Sequence, residues 1–295
     1  MMKVGVLGLG NMGAGMAATL ASKGFDVLGF DLSSAALEKS VQHGVKPAAS
    51  ASELAKSVDV LIMSLPKAEH VRAACLGDGG ILSSARAGLT VVDTTTSTPE
   101  MSREMAAVLK EKGIHFMDAP VSGGPAGAAS GTMTMVIGAN ETVLQKVLPV
   151  LEAMSGTRVH VGDIGAGNVV KIANNLLSAA HLITTAEAVS LAAQAGVEPE
   201  KLLEGLNAGS GRSAVSQVSF PRWISSKSYD SGFTMGLMRK DVGLALALAD
   251  SLHMELPLSR EAIRLWNASR ETLADSDDFN CIVQRTDEAL FGKGK

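Results

Sequence analysis

The 295 residues include only two cysteines, Cys75 and Cys281. That is too few for a disulfide framework. Neither residue belongs to a C-x-x-C pair or a cluster with histidine, so the spacing argues against a zinc site. The six histidines are scattered and form no ligand pattern, so no metal is expected. An excess of one charge is also missing. With 26 Lys and Arg against 30 Asp and Glu, the net charge is −4 with no long basic run, which gives no support for a nucleic-acid partner. No uninterrupted apolar run reaches the ~18 residues of a transmembrane helix. Met1-Met2-Lys3-Val4 enters a strand without a signal-peptide pattern, so a cytoplasmic protein with no membrane partner is expected. By contrast, 46% of the residues are hydrophobic, enough for substantial cores, and the length suits two domains.

The run Lys3-Val4-Gly5-Val6-Leu7-Gly8-Leu9-Gly10-Asn11-Met12-Gly13 sets an apolar strand directly against a G-x-G-x-x-G turn and a helix. Gly8 permits the tight turn, Gly10 has no Cβ to block the backbone from a pyrophosphate, and Gly13 lets the helix pack closely on the strand. The helix N-terminus offers N–H groups and a positive dipole end to the anion. With 31 glycines in the chain, an ordinary strand-to-helix turn is the competing reading, and the downstream context decides against it. A second strand, Phe25-Asp26-Val27-Leu28-Gly29-Phe30, ends at Asp31, where a dinucleotide fold places a carboxylate for the adenosine ribose. Asp31 would repel the extra phosphate of NADP. No arginine follows among Leu32, Ser33, Ser34 and Ala35, so NAD is the expected cofactor and NADP the lesser one.

Further strands are expected at Val58–Pro66, Leu89–Thr94, Ile114–Asp118, Thr132–Ile137 and Arg158–Val161, with helices between them, including Met101–Lys112 and Glu141–Met154. Alternating β and α elements predict a Rossmann-type, mostly parallel sheet covered on both faces. From about Gly167 the pattern turns helical: Asn168–Ala195, Pro199–Asn207, Met238–Leu252, Leu258–Leu273 and a last helix near Phe279–Leu290. An α/β class follows, with a cofactor domain over residues 1–163 and an all-α substrate and oligomerisation domain over 164–295. The terminal Gly292–Lys295 is expected to fray.

On the helix opening at Asn168, Lys171, Asn174, Asn175 and Ser178 fall at i, i+3, i+4 and i+7 and share one face among apolar neighbours. Such a stripe on a buried helix is expected to face a cleft. A dehydrogenase needs a group that moves the hydroxyl proton as hydride departs, and lysine serves if desolvation brings its pKa from about 10.4 toward about 7–8. Asn175 would orient Lys171 or bind the substrate oxygen, with Asn174 beside it. The other reading is a surface lysine with amides that tie helices together. Asp118-Ala119-Pro120-Val121-Ser122-Gly123-Gly124-Pro125 follows a strand, the position of ligand loops in open α/β sheets. There the Ser122 hydroxyl and the N–H groups of Gly123 and Gly124 suit a carboxylate; a turn without a ligand is the alternative.

Taken together, Gly8–Gly13, the Asp118–Gly124 loop, Gly165-Ala166-Gly167-Asn168-Val169-Val170-Lys171 with Asn174-Asn175, and Arg239-Lys240-Asp241 resemble the β-hydroxyacid dehydrogenases over nearly the whole chain. The resemblance implies an NAD-dependent oxidoreductase of the CH–OH group. Such an enzyme interconverts a small β-hydroxy or related sugar acid and its semialdehyde or keto acid, with 3-hydroxyisobutyrate, tartronate semialdehyde or glycerate, L-threonate and 2-(hydroxymethyl)glutarate as candidates. It implies Lys171 as catalytic acid/base, and Ser122, Gly123, Gly124 and Asn175 around the substrate. It places cofactor contacts at Met12, Leu65, Pro66 and Thr96, and Lys240 near both nicotinamide and substrate carboxylate. It also implies a homodimer or homotetramer. Without it, Lys240 would read as an i,i+1 partner of Asp241 on a solvated helix. Arg212, in Ser210-Gly211-Arg212-Ser213, would bind a second carboxylate or polar tail, or else form a surface ion pair. The competing function is a catalytically silent NAD-binding interaction protein of the same fold.

Overall fold

The computed structural model describes residues 2–292; Lys293–Lys295, expected to fray, lie outside the described residues. The chain divides into two compact units, Met1–Lys171 and Ile172–Lys295.

In the first unit the chain runs β1 (Lys3–Leu7), α1 (Asn11–Ser22), β2 (Asp26–Phe30), α2 (Ser34–Val41), β3 (Lys46–Pro47), α3 (Ala51–Ser57), β4 (Val60–Met63), α4 (Ala68–Leu76), α5 (Ile81–Ser84), β5 (Thr90–Asp93) and α6 (Pro99–Lys110). It continues through β6 (His115–Asp118), β7 (Val121–Ser122), α7 (Gly124–Ser130), β8 (Met133–Gly138), α8 (Glu141–Met154) and β9 (Ser155–Gly162). The sheet order is β3-β2-β1-β4-β5-β6-β8-β7, with β9 on β8. Strands β1 to β6 are all parallel, whereas β8 runs antiparallel to β6 and β7. This is the doubly wound Rossmann order with an antiparallel extension, as the alternating pattern predicts.

The strand side-chain period of two splits the apolar runs between two cores. Val4, Val6, Val60, Ile62 and Val92 join Met16 and Leu20 on one face. Leu7, Leu61, Met63 and Val91 join Leu54, Val71, Met105 and Leu109 on the other. The helix starts are written locally. Ser33, Ser50, Thr98 and Asn140 each accept a first-turn N–H, at α2, α3, α6 and α8.

The second unit is helical. It is built from α9 (Ala166–Gln194, which begins in the first unit), α10 (Pro199–Ala208), a π-helical segment Val215–Ile224, α11 (Met235–Ser251), α12 (Pro257–Ala268) and α13 (Glu288–Phe291). Its core gathers Leu182, Ala186, Phe220, Met235, Val242, Ile263, Trp266 and Val283. The indole of Trp266 donates to the Ala179 carbonyl at 3.1 Å.

The helical segments differ from expectation in three places. Phe279–Arg285 is a 3₁₀ helix started by the Asp278 side chain, and only Glu288–Phe291 beyond it is α-helical. Val215–Ile224 carries Pro221, which has no N–H to donate, within π-type turns that the residue pattern does not predict. The stretch expected to be a mostly buried helix, α9, exposes Val169, Val170, Leu177 and Leu191, while Lys171 and Asn175 are buried. By length and a mean hydropathy of 1.4 it is the one helix among the described residues long and apolar enough to cross a membrane. Its polar residues interrupt every apolar run, and Ala179, Leu182, Ala186 and Val189 pack into the helical core.

Candidate active site

Because β1 to β6 are parallel, their C-terminal ends share one edge of the sheet, where open α/β sheets receive ligands. At that edge stand Gly8–Gly13 after β1, Asp31 after β2, Leu65 and Pro66 after β4, Thr96 after β5 and the Ser122 loop after β6. The three motif glycines differ in what requires them. Gly8 has φ +90, and a Cβ there would lie 2.3 Å from the Ser64 carbonyl oxygen. A Cβ on Gly13 would lie 1.8 Å from the Gly8 carbonyl oxygen. At Gly10 a Cβ would meet nothing within 4 Å, so this position opens outward.

Gly10 is the N-cap of α1, and the helix has neither a side-chain cap nor an acidic residue in its first turn. Its first-turn N–H groups and dipole suit an anion, so the turn fits the pyrophosphate of a dinucleotide. Leu9 is buried, Asn11 exposed and Met12 half-buried at this start. Asp31 accepts from Leu9 N at 2.6 Å and from Ser33 N at 2.8 Å, which pins the turn to the end of β2. A carboxylate has about four acceptor positions, so roughly two remain for ribose hydroxyls. The amide of Leu65 donates to Thr95 Oγ1 at 3.1 Å, tying the β4 and β5 loops together.

The Ser122 loop leaves the sheet through Gly123 and Gly124, with φ +119 and +62, a backbone that only glycine adopts readily. Here the structure joins two segments far apart in sequence: Lys171 Nζ donates to Ser122 Oγ at 2.9 Å. Lys171 is 8% exposed. Asp118, at the end of β6, explains why the helix bearing Lys171 starts where it does. Its two oxygens accept from Gly165 N at 2.6 Å and Asn168 N at 2.8 Å. Burial pushes the Asp118 carboxyl above the usual aspartate range, against the opposing pull of these backbone N–H groups and of Arg103. Glycine is required around it, since a Cβ on Gly138 would lie 2.5 Å from Asp118 Oδ1. Asn168, fully buried, accepts from Ser97 N at 2.9 Å and donates to Ser102 at 3.0 Å.

In the helical unit, Asn175 Nδ2 donates to Asp241 Oδ2 at 2.6 Å, and Asn174 Nδ2 donates to Asn175 Oδ1 at 3.1 Å. Lys240 Nζ lies 3.0 Å from Asp241 Oδ1. Lys240 and Asp241 therefore do not form a solvated pair. Asp241 is 2% exposed and belongs to the buried face of α11 with Met238, Val242, Ala245 and Ala249. The apolar residues around Asp241 at helical spacing carried that signal, and reading Lys240 with its chain neighbour alone missed it. Arg239 is structural, donating to Ser269 Oγ, Leu273 O and Asp275. Arg212 is exposed in the loop after α10 and donates to Gly209 O at 3.4 Å.

A Rossmann sheet whose glycine turn feeds an uncapped helix, with an acid at the end of β2 and a buried lysine at the loop after β6, defines a dinucleotide-dependent oxidoreductase. Comparison with known proteins narrows the class. A family model described as the NAD binding domain of 6-phosphogluconate dehydrogenase matches residues 3–162. Another, described as NAD-binding of NADP-dependent 3-hydroxyisobutyrate dehydrogenase, matches residues 165–286. The 2-(hydroxymethyl)glutarate dehydrogenase of Eubacterium barkeri is 37% identical over 282 residues, 96% of this chain and 94% of that protein. The NAD-dependent L-serine dehydrogenase of Pseudomonas aeruginosa is 35% identical, covering 99% of this chain and 100% of that one. The solved structure of Mycobacterium tuberculosis 3-hydroxyisobutyrate dehydrogenase with L-serine matches with a TM-score of 0.92 at 33% identity, over 97% of this chain and 99% of that one. The chain belongs to the β-hydroxyacid dehydrogenase family, and it is an NAD-dependent oxidoreductase of the CH–OH group of hydroxy acids.

Proposed function

We propose that the protein oxidises a small β-hydroxy acid, or reduces its semialdehyde, with Lys171 as the acid/base. The observation that carries this reading is the hydrogen bond from the buried Lys171 Nζ to the half-buried Ser122 Oγ, 2.9 Å long, in the loop after β6. Residues Gly8 to Gly13, Asp31, Leu65, Pro66 and Thr96 would hold the dinucleotide, which when bound would supply the hydride acceptor in oxidation and, in its reduced form, the hydride donor in reduction. In oxidation Lys171 takes the proton from the substrate hydroxyl, and in reduction it returns it. Since Ser122 Oγ accepts from Lys171, its own hydroxyl proton points elsewhere, toward the substrate carboxylate that Gly123 and Gly124 also receive. On the helical unit, Asn174, Asn175, Lys240 and Arg212 are the candidates for contacts with substrate, Lys240 also for the cofactor. In this reading residues 1–163 form the cofactor domain and residues 164–295 the substrate and oligomerisation domain.

The substrate class rests on the relatives, whose names specify 2-(hydroxymethyl)glutarate, L-serine and 3-hydroxyisobutyrate. A panel of these acids with L-threonate and glycerate, followed at the absorbance band of the reduced nicotinamide with NAD and NADP, tests the reading. Turnover of one or more with NAD preferred is expected. No turnover of any would leave the catalytically silent alternative. The cytoplasmic location and a homodimer or homotetramer belong to the same proposal. Val170, Ala173, Leu177, Thr184 and Leu191 form one exposed face of α9, which suits subunit packing.

A further inference from the structure

Gly15 sits inside α1, where glycine is among the poorest helix formers. A Cβ there would lie 2.9 Å from Ala128 Cβ and 3.1 Å from Ala129 N, so the glycine lets α1 and α7 approach closely. Thr19, one turn further on and on the same face, is 4% exposed. Its hydroxyl donates to Ala128 O at 2.8 Å and to Ala129 O at 3.0 Å. A helical threonine ordinarily turns its hydroxyl to its own preceding turn. Here it satisfies last-turn carbonyls of a different helix, which have no partner within their own.

We propose that Gly15 and Thr19 are positioning residues: through α7 they hold the Ser122–Gly124 substrate loop in register with the helix that seats the dinucleotide. The inference rests on the proposed role of that loop. Helix α7 begins at Gly124, immediately after Ser122 and Gly123, and ends at Ser130. Its seven residues make a rod about 10 Å long, so a shift at Ala128 is carried to Ser122 and to its hydrogen bond with Lys171. The opposite end of the lever is α1, whose first turn is the dinucleotide-binding turn. One helix thus carries the cofactor at its start and the substrate loop along its side.

The experiment uses the full chain and measures two quantities: the NAD dissociation constant by calorimetry without substrate, and KM for the panel acid of highest kcat/KM at saturating NAD. Gly15→Ala and Thr19→Val are each expected to raise KM about tenfold and to leave NAD binding unchanged, while Thr19→Ser keeps the wild-type KM. Adding Ala128→Gly to Gly15→Ala removes the 2.9 Å methyl contact but not the one with Ala129 N, so KM should return part of the way toward wild type, which a general loss of stability would not do. A parallel rise in KM and the NAD dissociation constant, an unmoved KM, or a double variant that is not rescued overturns the proposal. Ser122→Ala separates it from the reading beneath. If that variant leaves KM unchanged, the substrate loop is misassigned and the proposal falls with it. If KM rises there but not in the Gly15 and Thr19 variants, only the proposal falls.

Discussion

Lys171→Met is the sharpest perturbation of the mechanism. Methionine keeps an unbranched side chain of similar reach in a site that is 8% exposed, and it removes the ammonium that donates to Ser122 at 2.9 Å. Two energies then separate. The charge-assisted hydrogen bond contributes ~1.5–3 kcal/mol gross, partly offset because an ammonium no longer has to be kept out of water. A net stability change of about 1–2 kcal/mol is expected, read as a small shift in a urea or thermal transition. Proton transfer is a different quantity. Loss of a positioned acid/base lowers kcat by ~10²–10⁴, which corresponds to ~3–5 kcal/mol of transition-state stabilisation. The assay is steady-state reduction of NAD with the best panel acid, beside calorimetric NAD binding. Lys171 meets Ser122 and stands apart from the Gly8–Gly13 turn in the sheet edge's order of loops, so NAD binding should persist. A kcat within a factor of a few of wild type, or a fall in kcat matched by loss of NAD binding, refutes the acid/base assignment.

Three other outcomes follow from particular groups. Burial raises the Asp118 carboxyl above its ordinary value of 3.8, so the folded state holds that proton to higher pH than the unfolded chain. Its contribution to stability is therefore fullest below the ordinary value and is lost as pH rises through the raised one; Asp118→Asn should flatten this part of the stability profile, and an unaltered profile sinks the argument. Asp31→Asn keeps one acceptor oxygen, enough for the amide of Leu9 or of Ser33 but not for both, and removes the charge that repels a 2′-phosphate. The preference for NAD over NADP in kcat/KM should fall about tenfold, and an unchanged ratio would show that Asp31 does not select the cofactor. Arg212→Ala should raise KM for a dicarboxylate such as 2-(hydroxymethyl)glutarate far more than for 3-hydroxyisobutyrate; equal effects on both remove Arg212 from substrate recognition.

Sequence alone determined the features whose causes are local. The strand–glycine–helix start, the acid after β2, the change from alternating to helical pattern near Gly167 and the span of α8 all follow from side chains within a few residues of one another. Period-two runs, caps and positive-φ turns need no distant partner. The proximity of Ser122 to Lys171, by contrast, comes from the resemblance and the tertiary structure, since 49 residues separate them. Tertiary structure alone decided that Asp118 sets the first turn of α9 and that Asp241 binds Asn175 across 66 positions. It also decided that α9 buries its lysine and exposes much of its apolar surface, the reverse of what its composition suggests. The reason is physical. A buried charge is tolerated only where packing brings its partners to it, and no spacing along the chain records which distant element will supply them.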